Sequence, residues 1–207
     1  YKVNHRYLGV NIPKGLTPKK TEDVLNVVSC SNVIPLKRIH LIAEMLEALD
    51  FPVVWKHIGG GPLIAELEEQ CAAFPPHIKC KFLGRVDIVN KVYLENHCDV
   101  FIHVSETEGG VPVSVMDSLS CGIPVLGCNA GGLAEMITKE TGKLLPIDFD
   151  MEEARTFLSE VYFGTRKYSR KRIKAYCEEK FASEINYNRF ADFIANYPST
   201  QSGRSFQ

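Results

Sequence analysis

Short apolar runs alternate along the chain with stretches whose apolar positions recur every three or four residues. The runs at 25–30, 51–58, 78–83, 100–104 and 123–127, and a shorter one at 142–145, have the length and turn-residue flanks of strands. Between them, 37–49, 63–73, 89–97, 113–120 and 133–137 place apolar residues on one side of a helix. From 151 to 197 the period is helical only. The strand runs are mostly apolar on both faces and the links are short. This predicts an α/β domain with a doubly wound, Rossmann-like parallel sheet of six strands, covered by helices on each side and followed by extra C-terminal helices. Residues 1–20 read as a linker or a last strand arriving from elsewhere, 21–197 as the domain, and 198–207, small and polar, as a flexible tail. There is no internal repeat.

Composition narrows the partners. The chain has 207 residues, enough for one large α/β domain, and a formal net charge of −1, so no whole-molecule attraction to nucleic acid is expected. Its 7 cysteines are odd in number and without CxxC spacing, which argues against a zinc site and for a reducing, cytoplasmic setting. No apolar stretch is long enough to span a membrane, and no signal peptide is visible. The chain begins at Tyr1 in mid-pattern, so a longer parent is expected. Arg166, Lys167, Arg170, Lys171, Arg172 and Lys174 form a basic run. A solvated helix face is the favoured reading; contact with anionic lipid, at the inner face of a membrane, is the other.

In such sheets ligands bind outside the carboxyl ends of the strands, where the strand order switches. Several chemistry-bearing segments fall there. After the first strand comes Ser31-Asn32-Val33-Ile34-Pro35-Leu36-Lys37-Arg38; two cations opening a helix oppose its dipole unless an anion is near. After the second comes Gly59-Gly60-Gly61-Pro62, either a phosphate cradle or a plain strand-to-helix turn. After the fourth comes Ser105-Glu106-Thr107-Glu108-Gly109-Gly110-Val111-Pro112, leading into a helix with Ser114 and Asp117. A glycine turn before a helix N-terminus suits a diphosphate, and the two acids suit hydroxyls; they could equally be acids favoured by the helix dipole. After the fifth comes Asn129-Ala130-Gly131-Gly132-Leu133-Ala134-Glu135, where Glu135 is a site residue or a first-turn acid. His40, His57, His97 and His103 have no metal-ligand spacing and read as structural or surface residues.

Taken in order, these segments resemble the retaining GT-B glycosyltransferases of family 4, the group 1 family. The resemblance rests on the strand and turn ending at Lys37, on Ile58-Gly59-Gly60-Gly61-Pro62, and on Phe82-Leu83-Gly84-Arg85-Val86. It rests above all on Ser105, Glu108-Gly109-Gly110-Val111-Pro112, Asp117, Ser120-Cys121-Gly122-Ile123-Pro124-Val125 and Gly131-Gly132-Leu133-Ala134-Glu135. The resemblance implies the C-terminal half of a GT-B fold. It implies a nucleoside diphosphate sugar, UDP-linked by expectation, as donor substrate, with no metal and no other cofactor.

By the same resemblance, Glu108 would hold the sugar hydroxyls and Asp117 the ribose. Lys37 would neutralise the diphosphate as the sugar leaves, 109–114 would offer N–H donors to the phosphates, and Val86 would touch the base through its backbone. Asn32, Gly59, Gly60, Arg85 and Glu135 complete the expected donor site. An N-terminal domain would bind a saccharide or lipid-linked acceptor, and this half alone would transfer nothing. The chain departs from the pattern in its Glu108-to-Asp117 spacing, in an aspartate as second acid, and in Asn32 where an arginine is usual. A non-catalytic nucleotide-sugar-binding module is therefore an alternative, as is a GT-B epimerase or hydrolase. A nicotinamide enzyme is disfavoured, because GxGxxG is absent.

Overall fold

The computed structural model describes Tyr7 and residues 9–196. Six parallel strands, β1 (Leu25–Cys30), β2 (Val53–Ile58), β3 (Ile78–Phe82), β4 (Val100–His103), β5 (Val125–Cys128) and β6 (Gly142–Leu145), form one sheet in the order β3-β2-β1-β4-β5-β6. The helices are α1 (Ile39–Glu47), α2 (Ile64–Ala72), α3 (Val89–Glu95), α4 (Val113–Ser120), α5 (Met151–Tyr162), α6 (Arg170–Phe181) and α7 (Ser183–Ala195).

The sheet separates two apolar layers. Val27, Trp55 and Ile102 point to one side, against Ile42 and Leu46 of α1 and Phe157 of α5. Val28, Ile58 and Phe101 point to the other, against Tyr93 of α3, Met116 of α4 and Ile173 of α6. Adjacent residues serve opposite layers because successive strand side chains alternate faces, so a strand covered on both sides is mostly apolar. β4 and β5 are buried at every position. The edge strand β3 departs from this: Ile78, Cys80 and Phe82 turn inward while Lys79 and Lys81 are exposed. Lysines on an edge oppose pairing with another chain.

Several sequence boundaries move. Phe51 and Ile123 precede their strands rather than belong to them. Residues 131–135 form a 3-10 turn in place of a helix at 133–137. Residues 151–195 divide into three helices, residue 197 lying outside the described residues: Asp150 caps α5 through the Glu152 N–H, and Ser169 caps α6 through the Arg172 N–H.

The described part of the leading segment is held to the body; residues 1–6 and 8 lie outside the described residues. Val10 pairs with Ala182 beside α7, and Thr17 bonds the backbone of Cys98 and Cys121. The residues expected as a tail, 198–207, lie outside the described residues.

The basic run is largely engaged within the molecule. Arg166 pairs with Glu160, Arg170 approaches Asp99 at 4.0 Å, Arg172 lies 3.4 Å from Glu140, and Lys174 donates to the Pro13 and Gly15 carbonyls. Among the described residues no helix is long and apolar enough to cross a membrane.

Candidate functional site

The strand order reverses direction at β1, whose neighbours are β2 and β4. The loops leaving the carboxyl ends of β1 and β4 lie there, where open α/β sheets place their ligand crevice. Lys37 stands on the first loop and Glu108 on the second. They meet across the crevice, with Lys37 Nζ 2.5 Å from Glu108 Oε1. His103, the last residue of β4, brings Nε2 to 2.7 Å from the same oxygen, and Ser105 Oγ lies 3.2 Å from that nitrogen. Burial alone would raise the Glu108 carboxyl, but hydrogen bonds from His103, Lys37 and Ser105 outweigh it and hold the group down to about 2. Glu108 is therefore an anion throughout the neutral range, fit to accept hydroxyl hydrogens.

Backbone bonds lace the loops together. The Val33 N–H donates to Gly60 O at 2.9 Å, the Glu106 N–H to Leu36 O at 2.9 Å, and the Gly132 N–H to Gly110 O at 3.0 Å. These distances explain some of the glycines. A Cβ on Gly59 would fall 1.9 Å from Ser31 O, and one on Gly131, at φ +54°, would fall 2.5 Å from Glu108 O. Both are close-approach positions. Gly60, Gly109 and Gly110 have open space where a side chain would stand. Val111 and Pro112 then lead into α4, which has no side-chain cap; its leading N–H groups, with half-buried Ser114 in the first turn, remain for a ligand or water.

Arg38 has a different part from the one its position suggested. Lys37 closes a 3-10 turn (Pro35–Lys37), Arg38 takes φ +48°, and α1 starts only at Ile39. The Arg38 guanidinium donates to Val104 O at 2.8 Å and Ile147 O at 2.9 Å, and reaches Cys128 Sγ at 3.4 Å. It ties the ends of β4 and β5 to the segment after β6 instead of opening a helix toward an anion.

Asp117 lines a second cleft, of about 560 Å³, with Asn11, Asp87, Ile88, Asn90 and Tyr187. Burial pushes its carboxyl up to about 6 against a hydrogen bond from Asn90. Val86 is half-buried beside this cleft, in the loop after β3, while Arg85 and Asn32 are exposed. Glu135 accepts a hydrogen bond from Tyr7 of the leading segment, and Tyr176 donates to its carbonyl at 2.7 Å. The structure thus brings Lys37, Glu108 and the 109–114 turn to one crevice, sets Asp117 one cleft away, and ties Glu135 to the leading segment.

The sequence reading missed His103. Its signal was a lone titratable side chain at the end of the otherwise apolar Val100-Phe101-Ile102. Two other described histidines have different surroundings. His57 is buried under the glycine turn and its proton affinity falls to about 4 for want of solvent; His97 bonds Asp99 and Pro18 O at the opposite end of the sheet. Among the described residues no group of three or more His, Cys, Asp or Glu could hold a metal ion.

The chain belongs to the group 1 glycosyl transferases: that family's model matches residues 13–173. No curated protein sequence matches it. Among solved structures it is similar to the lipopolysaccharide outer core galactosyltransferase WaaB in its apo form, with a TM-score of 0.81 at 18% identity over 91% of this chain and 54% of that one. It is similar to Anabaena HepE in complex with UDP-glucose, at TM-score 0.70 and 20% identity over 83% of this chain and 48% of that one. The pneumococcal O-GlcNAc transferase GtfA, in complex with UDP and GlcNAc, follows at TM-score 0.64 and 16% identity over 91% and 38%. The six-stranded α/β architecture is that of these GT-B proteins, and the chain spans about half the length of the first two.

Proposed function

We propose that the chain is the donor-binding half of a retaining, family 4 glycosyltransferase that moves a hexose from a UDP-sugar to a saccharide or lipid-linked acceptor. The observation that carries the proposal is the meeting of Lys37 and Glu108 across the crevice between the β1 and β4 loops. A flexible cation, an uncapped helix N-terminus and unobstructed glycines suit a diphosphate; an anion held beside them suits sugar hydroxyls. Lys37 and the first N–H groups of α4 would take up the charge that grows on the diphosphate as the sugar leaves. Glu108 would fix the sugar, Asp117 the ribose, and the backbone at Val86 the base. HepE, which shares the fold, holds UDP-glucose, which supports UDP as the first nucleotide to try.

The acceptor would come from a further, N-terminal domain. Two observations support this. The similar proteins are about twice as long, and α7 leaves Ile185, Tyr187, Phe190 and Ile194 exposed along its length. The 7 free thiols fit a reducing cytoplasm.

Calorimetric titration with UDP, GDP and ADP, then with UDP-glucose, tests the donor site. Saturable binding of UDP, weakened about tenfold or more by Lys37→Ala, is expected from loss of a charge-assisted contact. Equal affinity of the parent and Lys37→Ala chains for UDP would refute the assignment.

A further inference from the structure

We infer that His103 is a positioning residue for Glu108: its Nε2–H keeps the carboxylate in place when Lys37 turns to an anionic ligand. The functional consequence rests on the donor-site reading above; the geometry does not. Lys37 and His103 approach the same oxygen, Glu108 Oε1, at 2.5 and 2.7 Å. An ionised carboxylate only accepts, so Nε2 must carry the proton. The two donors differ in freedom. Lys37 ends a four-carbon stem whose side chain is 20% exposed. His103 is 5% exposed, sits on the rigid end of β4, and its ring stacks on Phe101 at 6.4 Å between centroids.

A diphosphate in the crevice would compete with Glu108 for Lys37, and only Lys37 has the reach to respond. Were it the sole donor, its departure would leave a largely buried carboxylate without a partner. Burial would then favour protonation, and the group would lose the charge it needs to hold a hydroxyl. His103 removes that conflict. It stays where the strand puts it, so Glu108 remains charged and aimed while Lys37 serves the phosphate. The groups acting on Glu108 are His103 and Ser105 from β4 and its following loop, and Lys37 from the loop after β1. Ser105 Oγ also lies 3.2 Å from Nε2, a second polar neighbour of that nitrogen.

Lys37→Met stands in for a lysine drawn away, and carbon-13 NMR of the Glu108 carboxyl in the nucleotide-free chain reads the result. The midpoint should stay below the ordinary 4.5 in Lys37→Met, rise above it in Lys37→Met/His103→Leu, and return below it in Lys37→Met/His103→Gln, whose amide restores a neutral donor. With Lys37 present, His103→Leu should leave UDP affinity within about twofold and weaken UDP-glucose about tenfold, with His103→Gln restoring it. A low midpoint in the His103→Leu double variant overturns the inference. So does an equal loss of UDP and UDP-glucose in both His103 variants, which is the signature of packing alone. A parent chain that binds no UDP refutes the donor-site reading instead, since the nucleotide-free midpoints decide the positioning role by themselves.

Discussion

Replacing Asp117 by asparagine should stabilise the protein and weaken its hold on nucleotide. Burial on α4 lifts the Asp117 carboxyl from 3.8 to about 6, and the Asn90 hydrogen bond only partly offsets it. The folded chain thus binds this proton more tightly than the unfolded chain does. Its stabilisation is complete below pH 3.8 and is lost as pH rises through about 6. Near neutral pH the ionised carboxylate costs the fold about 3 kcal/mol relative to a group that stays uncharged. Asp117→Asn has the same shape and can still accept from Asn90, so it should recover most of that. Urea denaturation at about pH 5 and about pH 7.5 separates the effect from packing: the variant's advantage should be about 1.5 kcal/mol at the lower pH and roughly double at the higher. An advantage equal at both pH values, or a less stable variant, refutes the argument that desolvation governs this carboxyl. UDP affinity should move the opposite way, since an amide is a weaker acceptor for paired hydroxyls, an instance of stability given up at a site.

Three further outcomes follow from contacts near the site. Arg38→Ala removes the bonds to Val104 O and Ile147 O while keeping a residue strained at φ +48°, and should cost about 3 kcal/mol in urea denaturation. Arg38→Gly, freed of that strain, should cost somewhat less, and an unchanged midpoint for either would mean the brace carries nothing. Gly131→Ala meets Glu108 O and demands a left-handed backbone, so it should lower stability by about 2 kcal/mol and shift the Glu108 resonances; a silent NMR spectrum around Glu108 would count against the loop contact. Asp99 is held low: burial would raise its carboxyl, but His97, the Asn26 N–H and Lys20 outweigh it. Its stabilisation is present above its ordinary pKa and is lost as pH falls through the depressed folded value, so Asp99→Asn should unfold less steeply below about pH 4 in acid titration by circular dichroism.

The alternation of apolar runs and helical periods by itself determined the class of fold. A strand covered on both faces buries nearly every side chain, so β1, β4 and β5 read as short, mainly apolar runs. Leu25–Cys30 and Gly142–Leu145 fall where the pattern put them. The glycine turns and their spacing also marked the loops that make the crevice, because only glycine tolerates the approach of Ser31 O to Gly59 or of Glu108 O to Gly131. Tertiary structure alone decided the rest. Lys37 and Arg38 are neighbours in sequence and look alike as cations, yet the left-handed turn at Arg38 sends one to Glu108 and the other under β4 to two carbonyls. His103 read as a structural or surface histidine until the β4 loop folded back and set Glu108 against it. The environment of Asp117 likewise depends on helices and a leading segment distant in sequence. Periodicity records which face of an element is buried; which charges meet, and at what pKa, depends on distances between elements that no local pattern encodes.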